Sequence, residues 1–130
     1  MIDPEVEKRL VAEAFRSRGN AISNRSGFSV GAAIETDDGR IFGGCNVENA
    51  TYGLTVCAER VAIWKALSEG MRKFRAVAVV TGADRPTPPC GACRQILWEF
   101  AGDVPVVSVT ESGQRKTYRM QDLLPEPFDL

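Results

Sequence analysis

Apolar residues recur at helical spacing near the start of the chain, where Val6, Leu10, Val11, Ala14 and Phe15 fall on one face. Asp3 followed by Pro4 reads as an N-cap with proline at the first helical position, and Gly19 reads as a stop. A helix is predicted over about residues 4–18. The period then changes. Phe28 to Glu35 reads as a strand, Thr36-Asp37-Asp38-Gly39 as a turn, and Arg40-Ile41-Phe42 as the returning arm of a hairpin. Gly43 to Gly53 follows neither period and is expected to be a functional loop or a strand end.

Cys57 to Glu69 reads as a second helix, closed by Gly70. Its apolar residues Ala58, Val61, Ala62, Ile63, Trp64, Ala66 and Leu67 cover most of its circumference, which predicts burial on several sides, in a core or a subunit interface. Ala76 to Val80 and Val104 to Val109 are continuous apolar runs, the pattern of strands buried on both faces. Between them lie a Pro- and Gly-rich loop, Thr81 to Pro89, and a helix from Gly91 to about Phe100. Arg115 to Met120 is a polar, edge-like strand, followed by a helical turn at Gln121 to Leu124. Strands alternating with helices predict a sheet covered on both faces.

With 130 residues, 44% of them hydrophobic and 25% charged, the chain is expected to form one globular domain over residues 1–130. A net charge of −1 offers no surplus of cations to hold a polyanion, which argues against nucleic acid as a partner. Histidine is absent, so Ser-His-Asp and Cys-His catalysis are excluded. Proton transfer falls to Asp, Glu, Lys, Tyr or Cys, and any metal must be held by thiolate or carboxylate. The start Met1-Ile2-Asp3-Pro4-Glu5 lacks the pattern of a signal peptide, and no run approaches the ~20 apolar residues of a membrane span. A cytoplasmic protein without membrane contact is expected, in which Cys45, Cys57, Cys90 and Cys93 serve metal binding or chemistry rather than disulfides.

Cys90-Gly91-Ala92-Cys93 opens one predicted helix and Cys57 opens another. Side chains lean toward a helix's N-terminus, and residues three apart share a face. Cys90 and Cys93 can therefore converge on a point off their helix, and Cys57 reaches it if the two helix ends face each other. Three thiolates leave one of zinc's four positions open, the pattern of a catalytic site. A C-x-x-C pair alone reads sooner as a redox pair or half of a structural zinc knuckle; Cys57, through its neighbour Glu59, shifts the reading toward a catalytic site. Glu59, in the first turn after Cys57, is placed to move a proton at the open position, or else simply complements the helix dipole. Arg60 is either a surface residue or a hydrogen-bond donor that offsets the net −1 of zinc with three thiolates.

Cys57-Ala58-Glu59-Arg60 with Pro89-Cys90-Gly91-Ala92-Cys93-Arg94-Gln95 resembles the signature of the zinc-dependent cytidine deaminases, and specifically their small homotetrameric class. Two further blocks agree. Cys45-Asn46-Val47-Glu48-Asn49-Ala50 with Tyr52 is similar to the family's ribose-binding stretch, and Ser26-x-Phe28-x-Val30-Gly31-Ala32-Ala33 to its first strand. Leu123-Leu124-Pro125 and Phe128 resemble its C-terminal segment.

The resemblance implies a three-layer α/β/α sandwich around a mixed sheet of about five strands. It implies one zinc per chain, held by Cys57, Cys90 and Cys93, with Arg60 tuning its charge. Glu59 would shuttle a proton from water to ring nitrogen N3 while the water oxygen attacks C4 of cytidine or 2′-deoxycytidine. Phe28 would pack on the pyrimidine, Asn46 and Glu48 would bind the sugar hydroxyls, and the backbone of Ala58 would contact the base. Tyr52 and Phe128 would reach into the pockets of neighbouring subunits of a homotetramer.

Ile22-Ser23-Asn24-Arg25 departs from the family's usual Tyr-x-Pro-Tyr, at the expected pocket mouth. A deaminase of a modified cytosine nucleoside or nucleoside antibiotic is the alternative, but such relatives tend to lack an acid at the position of Glu48. An RNA-editing deaminase is disfavoured by the charge. A non-catalytic binding module with structural zinc would require Cys45 as a fourth ligand.

Overall fold

The structure is a computed structural model and describes residues 2–129; Met1 and Leu130 lie outside the described residues. Helix α1 spans Pro4–Arg18. Asp3 caps it through Oδ1, which accepts from the Glu5 N–H at 2.9 Å and the Val6 N–H at 3.3 Å. The hairpin follows as β1 (Val30–Thr36) and β2 (Ile41–Cys45). After a 3-10 turn at Tyr52–Leu54 come α2 (Ala58–Ser68), β3 (Phe74–Thr81), α3 (Gly91–Ala101), β4 (Pro105–Thr110), β5 (Arg115–Arg119) and α4 (Met120–Leu123).

The strands form one mixed sheet in the order β2-β1-β3-β4-β5. Only β3 and β4 run parallel, joined through α3; the other neighbours are antiparallel. Alternate residues of β3 serve opposite faces. Val77 and Val79 join Ala62, Ile63 and Ala66 of α2 and Leu97 of α3 in one core. Ala76, Ala78 and Val80 join Leu10, Val11 and Ala14 of α1 in the other. This is the expected three-layer arrangement, with β5 as the exposed polar edge.

Two glycines let the helices lie flat on the sheet. A Cβ on Gly31 would stand 1.9 Å from the Ala14 carbonyl oxygen of α1, and one on Gly44 would stand 2.5 Å from Ala62 N and 2.6 Å from Ala58 O of α2. Gly44 therefore sets the seat of the helix that carries Glu59.

Two expectations shift. The first strand begins at Val30, not Phe28, because the backbone of Phe28 bonds to side chains instead of the ladder. Helix α2 is buried mainly along Ala58, Glu59, Ala62, Ile63 and Ala66, whereas Trp64 is exposed. Its ring lies outside the core, 5.8 Å from the Arg60 guanidinium.

Candidate active site

Cys57 is the N-cap of α2 and Cys90 the N-cap of α3, both with extended backbone. Cys93 lies one turn into α3 and is buried. The three sulfurs lie within 4.8 Å of one another. Cys45 ends β2, opposite Gly31, and is not part of this group. A fourth protein ligand from Cys45, which a closed structural site would need, is therefore not supplied.

Two helix N-termini meet at the sulfurs, and their dipoles favour negative charge. The Cys57 Sγ accepts from Arg60 Nη2 at 3.4 Å and lies 3.9 Å from the Cys90 Sγ. The Cys93 thiol and the Arg60 guanidinium stabilise a Cys57 thiolate and pull its pKa down to about 5. Cys93 is pushed up, because it hydrogen-bonds to that thiolate as a thiol and is desolvated. Arg60 is raised by its hydrogen bond to Cys57. Three sulfurs thus crowd one point beside a single guanidinium. A divalent cation would hold all three sulfurs as thiolates, and soft sulfur donors suit zinc. The Arg60 Nε is buried without a hydrogen-bond partner, so this guanidinium keeps an unspent donor beside the cluster. The donor set fits a zinc ion with one open position.

Glu59 is only 6% exposed. Burial pushes its carboxyl up to about 7, and the negative Cys57 adds to the rise. It shares a cavity of about 270 Å³ with Cys57, Cys90, Ala58, Phe28, Asn46 and Glu48. Val79 and Thr81 line it from the C-terminal end of β3, where open α/β sheets bind their ligands.

Asn46 and Glu48 lie beyond the end of β2. Asn46 donates from Nδ2 to the Phe28 carbonyl at 2.8 Å and accepts at Oδ1 from the Val30 N–H at 2.9 Å. Glu48 Oε1 accepts from the N–H groups of Arg25 and Ser26, each at 3.0 Å, and its Oε2 accepts from the Ser26 hydroxyl. These bonds hold the Glu48 carboxyl below the usual carboxylate range, the Ser26 hydroxyl contributing most.

Arg25, from the departing segment, lines a surface depression that shares Ser26, Glu48 and Thr55 with this cavity, and its guanidinium lies 5.3 Å from the Tyr52 ring. Tyr52 and Phe128 are 72% and 71% exposed and do not line the cavity of Glu59. Thr87 and Pro88, whose loop was read only as Pro-rich, form part of its wall. The wall role of that loop was detectable because Cys90 immediately follows it.

The family model of the cytidine and deoxycytidylate deaminase zinc-binding region matches residues 4–110. The cytidine deaminase of Sporosarcina psychrophila is 46% identical over 125 residues, 95% of this chain and 91% of that protein. That of Halalkalibacterium halodurans is 46% identical over 120 residues, 92% and 91% of the two chains. Among solved structures, cytidine deaminase from Burkholderia pseudomallei superposes with a TM-score of 0.90 at 44% identity, covering 93% of this chain and 98% of that one. The sulfur cluster and the buried acid thus sit inside the matched region, and the chain belongs to the cytidine and deoxycytidylate deaminase zinc-binding family.

Proposed function

We propose that this zinc-dependent enzyme hydrolyses cytidine and 2′-deoxycytidine to uridine and 2′-deoxyuridine, releasing ammonia. The observation that carries the reading is one cavity lined by the buried Glu59, Cys57 and Cys90 together with Phe28, Asn46 and Glu48, with Cys93 completing the group of three convergent sulfurs. The family membership and relatives named for cytidine deamination support the same substrate.

Cys57, Cys90 and Cys93 would hold the zinc, which would supply the Lewis acidity that makes water a nucleophile near neutral pH. Glu59 does the proton work. A carboxyl at about pKa 7 can accept and return a proton near neutrality. It takes a proton from the attacking water and delivers it to ring nitrogen N3. The water oxygen bonds to C4; Glu59 then takes the remaining hydroxyl proton and passes it to the exocyclic nitrogen, and the bond from C4 to that nitrogen breaks as the C4 carbonyl forms and ammonia leaves. Phe28 packs on the pyrimidine, the Ala58 backbone contacts the base, and Asn46 and Glu48 bind sugar hydroxyls. Arg60 offsets the net negative charge of the metal and its three thiolates. Purified, zinc-loaded protein should convert both nucleosides, followed by ultraviolet absorbance.

Residues 1–130 act as one catalytic domain, and the chain assembles as a homotetramer with shared sites. Support comes from the exposed rings of Tyr52 and Phe128. The Phe128 backbone is clamped by Gln95, which donates from Nε2 to its carbonyl at 2.9 Å and accepts its N–H at 3.1 Å. The ring is thereby held outward from the helix that carries Cys93. Refolding Glu59→Gln subunits together with Phe128→Ala subunits tests this. Activity above the sum of the two homo-oligomers supports a site completed in trans, and strictly additive activity in mixed oligomers opposes it. The reducing cytoplasm suits four free cysteines, and no helix among the described residues is long and apolar enough to cross a membrane.

A further inference from the structure

Phe28 is pinned through its backbone by Ser26 and by Asn46, one of the two side chains read as gripping the sugar. Its N–H donates to Ser26 Oγ at 3.0 Å, and its carbonyl accepts from Asn46 Nδ2 at 2.8 Å. Ser26 Oγ in turn donates to Glu48 Oε2. The direction of that bond is fixed, because an ionised carboxylate only accepts. Gly27, at φ +71, makes the turn that lets Ser26 bond two residues ahead.

The hydrogen-bond capacities leave room for a ligand. A carboxylate has roughly four acceptor sites, and Glu48 accepts three bonds from Arg25 and Ser26. Asn46 uses one amide hydrogen and one acceptor lone pair on the loop. Each side chain can hold the loop and still present one group to the cavity that Ser26, Phe28 and Glu48 jointly line.

We propose that Ser26 is a positioning residue, whose hydroxyl relays between the Glu48 carboxylate, read as binding the sugar, and the backbone of Phe28, whose ring is read as packing on the base. The proposal rests on the reading of the site as a cytidine-deaminating pocket. A hydroxyl is suited to the relay because it donates and accepts at one atom; alanine does neither, and threonine does both. Fixing the ring before substrate arrives spares the cost of ordering it on binding. The relay therefore acts on substrate affinity and not on the proton transfers of Glu59.

The test compares the zinc-loaded parent with Ser26→Ala and Ser26→Thr by two measurements. Amide hydrogen exchange at Phe28 reads the relay itself. Steady-state kinetics on cytidine read its use. In Ser26→Ala, Phe28 exchange should accelerate and KM should rise about fivefold to tenfold, the scale of one lost hydrogen bond, with kcat within about threefold. Ser26→Thr should restore both. Unchanged Phe28 exchange in Ser26→Ala, a loss carried by kcat alone, or a threonine variant no better than alanine would overturn the proposal. If the parent leaves cytidine untouched, the functional reading fails instead, and the exchange measurement still judges the relay.

Discussion

Arg60 Nη2 donates to the Cys57 sulfur at 3.4 Å, one helical turn from the cap position that Cys57 occupies. The bond ties a cation in α2's first turn to a sulfur of the three-cysteine cluster. Arg60→Gln should keep zinc but lower kcat/KM by about 10–100-fold, the usual scale for a partner of a metal ligand. With less charge withdrawn from the thiolates, water at the metal is less acidic and the pH–rate profile should move to higher pH. An unchanged rate and profile would return Arg60 to an ordinary surface role.

Cys45 lies outside the sulfur cluster. Cys45→Ser should therefore retain one zinc per chain and near-parent activity, while serine at Cys57, Cys90 or Cys93 should lose metal. Elemental analysis of the purified variants checks both.

Gly44→Ala tests how α2 is seated. The added Cβ would meet backbone atoms at 2.5 and 2.6 Å, and backbone gives way only by moving the helix. Stability to urea should fall by about 1–3 kcal/mol. Because Cys57 and Glu59 travel with α2, kcat should fall as well.

Glu48 supplies a pH dependence. Its folded pKa is lowered, chiefly by the Ser26 hydroxyl. The stabilisation is then complete above the unfolded value of about 4.3 and is lost as pH falls through the lower folded value. The melting temperature of the parent should exceed that of Glu48→Gln by a constant margin from about pH 7 down to about pH 5.5. The margin should shrink in more acid solution. A margin that widens toward acid would contradict the assigned bonds.

The metal cluster was legible because its chemistry follows from local rules: cysteines at helix starts, three residues apart, aim at one point. The cap at Asp3 and the apolar runs of β3 and β4 were legible on similar grounds. The fastening of Phe28 was not, because Glu48 and Ser26 are 22 residues apart and meet only when the loop folds back over the end of β2. Nor was the outward position of Trp64. An apolar helix circumference does not say which side the sheet will cover, and here Gly44 brings β2 against the face of Ala58 and Ala62.

The central claim is that Glu59 moves protons for hydrolysis of the amine of cytidine beside a three-cysteine zinc site. The most direct measurement is the ultraviolet progress curve of cytidine with equal, zinc-verified amounts of parent and Glu59→Gln. The parent should convert cytidine to uridine with release of ammonia. The glutamine variant, matched in shape but unable to carry the proton, should retain its fold and zinc and lose at least about 10²–10⁴-fold in kcat. A Glu59→Gln enzyme within threefold of the parent, or a zinc-loaded parent that leaves cytidine unchanged, would contradict the account.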